Sequence, residues 1–400
     1  MILKSSKDIL GDYILCNHCL GRQFGKISRS TNERRGEVIR TLLISLYPDI
    51  SSNFFNQKPC YLCDNIFERT EDILKDLSQD FEFFTFHVGT KIPEEILIQE
   101  KKMKDMFGLD YQESIKQELN RELGKIVSTV LGKEFKREKE DVTILVHPYS
   151  SKFEYIINPL FIYGRYNKLL RGIPQTKWFC RKCKGKGCVK CSGTGKMYDE
   201  SVEELISKIF LKETRGTDSA FHGAGREDID VLMLGNGRPF VLEIKSPKIR
   251  DIDLQRLEAE VNQINEGKVK ISNLRFVERE VVEKIKNTNL KKIYMAEIDA
   301  YLTQEEKEKI ESFFLERTIH QKTPKRVLHR RADKTRIRKV YKVRTFRENN
   351  SSLEIYCDGG LYIKELISSD EERTYPSVTE LLGKNIKCIS LDVISIEEKV

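Results

Sequence analysis

Eight of the ten cysteines fall into four Cys-x-x-Cys pairs, Cys16/Cys19, Cys60/Cys63, Cys180/Cys183 and Cys188/Cys191, and no other feature constrains the chain as tightly. A two-residue spacer lets two thiolates converge on one tetrahedral ion while amides of the turn soften their charge. The last two pairs are four residues apart, and Gly185, Gly187, Gly193 and Gly195 supply the tight turns of a knuckle. Forty residues separate the first two pairs, room for a helical insertion. All eight are therefore predicted zinc ligands. With four thiolates and no open position, both sites read as structural. Disulfides are the other use of such pairs, but the opening Met-Ile-Leu-Lys-Ser-Ser-Lys-Asp lacks the apolar stretch of a secretion signal, so a reducing cytoplasm is expected. Cys357 and Cys388 stand alone in apolar surroundings, as small core residues do.

The 400 residues, 39% hydrophobic and 33% charged, suit two or three soluble domains. No window approaches the roughly 18 apolar residues of a membrane span. Ser30-Thr31-Asn32-Glu33 reads as a capping box, opening a helix with Val38, Ile39, Leu42, Leu43 and Leu46 on one face. A second helix is predicted over 66–79, a strand over 81–88, an amphipathic helix over 111–132, and strands over 142–147 and 154–163. Helices and strands that interleave in this way make an α+β module between about 80 and 175. Pro174 and the glycine-rich knuckle mark its end, and a helix over 201–212 then leads into a strand-rich remainder.

The net charge of +8 is modest, so its distribution matters more. Twelve Lys or Arg lie between Lys322 and Arg347, against the single acid Asp333. A strand of period two puts Lys334, Arg336, Arg338, Lys342 and Arg344 on one face, a strip able to track a phosphate backbone. A second cluster, Arg165, Lys168, Arg171 and Lys177, lies near Tyr163, Tyr166 and Trp178. Nucleic acid is the expected partner.

Chemistry concentrates in residues 215–247. A glycine-flanked loop delivers Arg226-Glu227-Asp228 to the start of a strand, Gly235-Asn236-Gly237 signals a turn, and Phe240 to Ile244 returns as an apolar strand. On a regular strand Asp228 and Asp230 share a face, where one can sit beside a basic partner. Three acids, an Arg and a His exceed what a plain hairpin needs.

The runs Gly-Arg-Glu-Asp-Ile-Asp-Val (225–231), Leu-Gly-Asn-Gly-Arg-Pro-Phe (234–240) and Arg-Tyr-Asn-Lys-Leu-Leu-Arg-Gly-Ile-Pro-Gln-Thr (165–176) resemble the archaeal and eukaryotic tRNA pseudouridine synthases that act on uridines 54 and 55 of the TΨC arm. The resemblance spans most of the chain. It implies an N-terminal cysteine-pair zinc region (1–79), a THUMP-like α+β RNA-binding module (80–175), and a pseudouridine synthase domain (176–400) with a mixed, mainly antiparallel sheet and flanking helices. It also implies Asp228 as the catalytic aspartate and Tyr294, in Lys-Lys-Ile-Tyr-Met-Ala, as the active-site tyrosine. By the same resemblance Lys364, in Tyr-Ile-Lys-Glu-Leu, pairs with the carboxylate, and Leu391, in Ile-Ser-Leu-Asp-Val, packs beneath the base.

Uridine must leave its glycosidic nitrogen, turn over and rejoin the ribose through carbon 5. That needs a carboxylate nucleophile (Asp228), a cation that keeps it ionised (Arg226 or Lys364), and a group such as Tyr294 against the base. Extruding the uridine costs a few kcal/mol, offset by phosphate contacts from residues such as Arg165, Arg171, Arg336 and Arg338. The expected partner is tRNA through its TΨC arm, and a monomer suffices. Structural Zn2+ is expected, with no redox cofactor and no catalytic metal. Two rival readings make different predictions. Asp230, Glu243 and Lys245 fit the Asp…Glu-x-Lys hairpin of Mg2+-dependent nucleases, whose activity EDTA abolishes. A non-catalytic tRNA-binding zinc protein would bind tRNA undisturbed by Asp228→Ala and form no product.

Overall fold

Side-chain caps and glycine stops set the helices of the first of two compact units, residues 1–158 and 159–400. The computed structural model describes residues 2–47, 54–74, 77, 79–329, 331–346 and 351–397. Helices α1 (Ile2–Asp12), α2 (Asn17–Arg22), α3 (Asn32–Leu46), α4 (Thr70–Leu74), α5 (Glu94–Phe107) and α6 (Ile115–Leu131) belong to this unit. Thr31 caps α3 by accepting from the Arg34 amide, and α6 opens on a Ser114/Gln117 capping box and stops at left-handed Gly132. Strands β1 (Thr85–Thr90), β2 (Glu134–Phe135), β3 (Val142–His147) and β4 (Lys152–Ile157) form a sheet of order β2-β1-β3-β4. β1 runs parallel to β2 and β3, and β3 antiparallel to β4. Ile115, Leu119, Leu123 and Val127, one stripe of α6, share a core with Phe86, Val88, Ile144 and the first four cysteines.

Two expectations change here. Of the five apolar residues assigned to one face of α3, only Ile39 and Leu43 are buried. The helix packs instead through glycine: a Cβ on Gly36 would meet the Asn17 carbonyl oxygen at 2.0 Å, and one on Gly21 the Asn32 oxygen at 1.8 Å. Such close backbone approach turns the Gly36 side inward and leaves Val38, Leu42 and Leu46 half-exposed. The helix expected over 66–79 is a 3-10 turn, Ile66–Arg69, followed by the short α4; residues 75, 76 and 78 lie outside the described residues.

The second unit holds a ten-stranded sheet. Its strands are β5 (Leu160–Lys168), β6 (Asp218–Gly223), β7 (Leu232–Lys245), β8 (Val269–Phe276), β9 (Lys292–Ile298), β10 (Arg317–Lys322), β11 (Thr335–Thr345), β12 (Ser352–Cys357), β13 (Thr374–Tyr375) and β14 (Cys388–Ile396). The order is β13-β10-β11-β12-β9-β14-β7-β5-β8, with β6 on β7. Among the described residues every pairing in it is antiparallel except β14 with β7. Helices α7 (Val202–Thr214), α8 (Leu254–Ile264), α9 (Glu280–Asn287), α10 (Gln304–Phe313), α11 (Ile363–Ser368) and α12 (Val378–Leu382) flank it. Among the described residues, no helix is long and apolar enough to cross a membrane.

The strand expected over 154–163 is two strands, β4 and β5, and the unit boundary falls between them rather than near 175. β5 lies between β7 and β8, so residues 160–168 belong to the second sheet and 159–175 to the second unit. Gly235-Asn236-Gly237 makes no reversal, because β7 runs through it. Both glycines have positive φ, 56° and 71°, and the Asn236 carboxamide bonds both the N–H and the C=O of Ile396. Glycine conformations that would make a hairpin turn here make a kink inside a strand. The basic strip is broken as well. β11 bulges against β12 between Val340 and Lys342, so buried Val340 shares its face with Arg336 and Arg338, whereas the next buried residue is Val343. Lys342 and Arg344 therefore point the opposite way. Arg330 and Arg347 lie outside the described residues.

Candidate active site

Between β6 and β7 the chain leaves the sheet for residues 224–231, and its backbone carbonyls find buried cations instead of ladder partners. Lys168, fully buried, donates to the carbonyls of Ile173, Asp228 and Ile229, each at 3.0 Å. Burial pulls its pKa down to about 8. Arg171 donates to the Asp230 carbonyl at 2.7 Å and the Leu391 carbonyl at 3.2 Å, and meets the Asp392 carboxylate at 2.6 Å. Glu227 turns inward, where Arg238 Nε and the Tyr166 hydroxyl each reach its carboxylate at 2.8 Å. With Glu227 anchored inside, its neighbour Asp228 is left on the cleft wall, about one-third exposed.

Arg326 Nη1 donates to the Asp228 carboxylate at 2.8 Å, and Arg326 Nε to buried Glu365 at 2.6 Å. Burial opposes the charge on Arg326, but Glu365 and Asp228 overcome it and raise its pKa. The guanidinium thus remains a fixed cation beside a carboxylate that keeps one face open. Around them lies a cleft of about 720 Å³, lined also by Tyr294, Lys292, Arg336, Arg338, Tyr362 and Leu391. Burial, and then Cys357, push the Tyr294 phenol up, so it stays protonated. Lys292, two residues away on the same face of β9, is brought down to about 7 by burial and by Arg238.

Asp228, Tyr294, Arg226, Lys364, Leu391, Arg336 and Arg338 all line this cleft. Their pairings differ from expectation. Lys364 meets Asp230 at 2.6 Å, not Asp228. Burial opposes the Asp230 charge, yet Lys364 holds that carboxyl below its usual range. Arg226 stacks over the Trp178 ring at 4.9 Å. Arg165 is buried, with its guanidinium on the carbonyls of Asn236, Gly237 and Ile396, so it braces the kink in β7. Arg171 braces the loop and β14 in the same way. Sequence reading missed Arg326, Glu365, Lys292 and the Glu227–Arg238 pair. Arg326 was one of twelve basic residues in a run and sits in a 3-10 turn, where no periodicity singles it out.

The nuclease reading does not survive. Glu243 is held by His222 at 2.8 Å, Lys245 by Asp218 at 2.8 Å, and Asp230 by Lys364, in three separate pairs of which only the last lines the cleft. Among the described residues, the groups able to hold a metal are Cys16/Cys19/Cys60/Cys63 and Cys180/Cys183/Cys188/Cys191, each with sulfurs within 4.8 Å of one another. Sulfur separations of 3.6 to 3.9 Å match the edge, about 3.8 Å, of a tetrahedron with ~2.3 Å Zn–S bonds. Amides of Cys188 and Gly195 donate to the Cys191 sulfur at 3.2 Å. Beside the first cluster Arg22 is wholly buried; among the described residues its guanidinium nitrogens make no hydrogen bond, and the Glu100 and Glu118 carboxylates lie at 3.4 and 4.0 Å. A divalent ion held by four thiolates carries two net negative charges, which suits such a cation.

A family profile described as Pus10, C-terminal, matches residues 161–397, and another, Pus10 THUMP domain, archaeal, matches residues 70–147. The chain belongs to the Pus10 family of tRNA pseudouridine synthases. It is 46% identical to the tRNA pseudouridine synthase Pus10 of Methanocaldococcus jannaschii, over 98% of this chain and 94% of that protein. To the Pus10 of Pyrococcus furiosus it is 42% identical, over 100% and 99%. Among solved structures, a Cbf5-Nop10-Gar1 complex is similar at 14% identity over 49% of this chain and 45% of that one, with a TM-score of 0.30. Pus10 membership makes the architecture a THUMP domain followed by a pseudouridine synthase fold.

Proposed function

We propose that this Pus10 protein isomerises uridine to pseudouridine at position 54, 55 or both in the TΨC arm of tRNA, with Asp228 as nucleophile. One observation carries the reading: the Asp228 carboxylate opens onto a cleft at 2.8 Å from a fixed guanidinium, with Tyr294 in the same cleft. In the reaction the N1–C1′ bond breaks, a C5–C1′ bond forms, carbon 5 releases its proton and N1 gains one. Substrate and product are isomers, so neither oxidant nor group donor is needed. Arg326 keeps Asp228 ionised as the carboxylate engages the extruded nucleoside. Protonated Tyr294 stacks on the base and Leu391 packs against it. Arg336 and Arg338 face incoming phosphates. The cysteine clusters hold structural zinc, and the enzyme works where tRNA is found, in the cytoplasm.

The test is tritium release from tRNA carrying carbon-5-labelled uridine. Wild type releases label with or without brief EDTA treatment, and Asp228→Ala releases none above background. Mg2+-dependent cleavage, or an alanine variant at undiminished speed, overturns the reading.

A further inference from the structure

The second cysteine cluster carries more than a metal site. Residues 177–197 hold seven Lys or Arg and no acid. Lys196 pairs with Glu204 at 2.7 Å, and Lys177 lies over the Phe179 ring at 5.2 Å. The other five, Arg181, Lys182, Lys184, Lys186 and Lys190, are exposed, and their side chains enter no ion pair among the described residues. Val189, 95% exposed, and Phe179, 57% exposed, stand among them. The loop is stiff. A Cβ on Gly187 would meet the Gly193 oxygen at 2.6 Å, and one on Gly195 the Gly185 oxygen at 2.4 Å, so its two turns brace each other. The Cys180 amide bonds the Gly195 carbonyl at 2.7 Å and the Met197 amide the Trp178 carbonyl at 2.9 Å, which closes the base. That base is a wall of the cleft, because Trp178 lines it and carries Arg226.

We infer that the 180–191 knuckle is a docking prong for the tRNA substrate, gripping phosphates of the strand that leads into the cleft. The inference rests on the reading under Proposed function. Five unpaired like charges on one stiff loop repel each other, and a polyanion relieves that repulsion with release of its counterions. A braced loop gives up little freedom on binding. An acidic protein would meet the same charge, but adjacency to the cleft favours RNA.

The experiment compares wild type with an Arg181→Gln/Lys182→Gln/Lys186→Gln/Lys190→Gln variant in tRNA binding across a salt series, with zinc content measured on both. The variant binds more than tenfold weaker at about 150 mM salt. The slope of log Kd against log salt falls by about three to three and a half, at ~0.7–0.9 for each of the four phosphates left without its cation. In parallel, tRNA shields Lys182, Lys186 and Lys190 of wild type from acetylation read by mass spectrometry, while exposed Lys286 on α9 reacts as before. An unchanged slope with full zinc content overturns the prong. If the variant is depleted of zinc, the acetylation pattern decides, and unshielded lysines overturn it. Wild type that binds tRNA but forms no pseudouridine would instead sink the functional reading.

Discussion

Lys168 and Lys292 are both buried amines of the second unit, and they differ in what surrounds them. Lys168 has three carbonyl acceptors, whereas Lys292 lines the cleft near the Arg238 guanidinium, which disfavours its charge. Its pKa lies at about 7 in the fold against an ordinary 10.5. Between those values the unfolded chain holds a proton that the folded one lacks, so stability from this group rises with pH across the window. The cost is fully present below about pH 7 and gone above 10.5. Lys292→Met therefore raises the melting midpoint by about 5 °C near pH 6.5, with the gain fading towards pH 10. Melts of both proteins at pH 6.5, 8 and 10 check this; a gain independent of pH would assign it to packing. That Asp228 and Tyr294 share one cleft was legible, because short runs around them carry a family resemblance. Arg326 was not, because its partners Asp228 and Glu365 are 98 and 39 residues away and only the fold brings them together.

At the level of elements, the bulge in β11 decides which cations face the cleft. Arg336→Ala and Arg338→Ala each raise the KM for tRNA roughly tenfold, the equivalent of about 1.4 kcal/mol of binding free energy. Lys342→Ala and Arg344→Ala change it less than twofold. Steady-state kinetics on the four variants checks the pattern, and equal effects would restore the unbroken strip. Period-two reasoning placed all of them on one face because a bulge leaves no mark in a run of Lys and Arg. The same blindness made Gly235-Asn236-Gly237 a turn: positive φ serves a reversal and a kink alike, and only pairing with β5 and β14 separates them. By contrast β3 appeared at its expected bounds and α6 began four residues late and ended one early, since strand alternation and helical amphipathicity are local signals.

Across the whole molecule, the two cysteine clusters occupy different kinds of place. The first lies in the core of its unit, and the second in a loop whose sulfurs are partly exposed. Metal analysis should find close to two zinc ions per chain. Cys60→Ser should make residues 1–158 protease-sensitive, because binding energy for the ion there is folding energy. Cys188→Ser should shift the melting of the catalytic sheet by no more than about 3 °C. Limited proteolysis and thermal melts of the two variants distinguish these outcomes. Strand order carries a further consequence. β14, the last in chain order of the described strands, fills the gap between β9 and β7 and brings Leu391 to the cleft. A ribosome therefore releases the THUMP-bearing part early, while β7 and β9 wait with bare edges until residues 388–396 emerge. A nascent chain interrupted before that point lacks both Leu391 and the strand that joins β9 to β7.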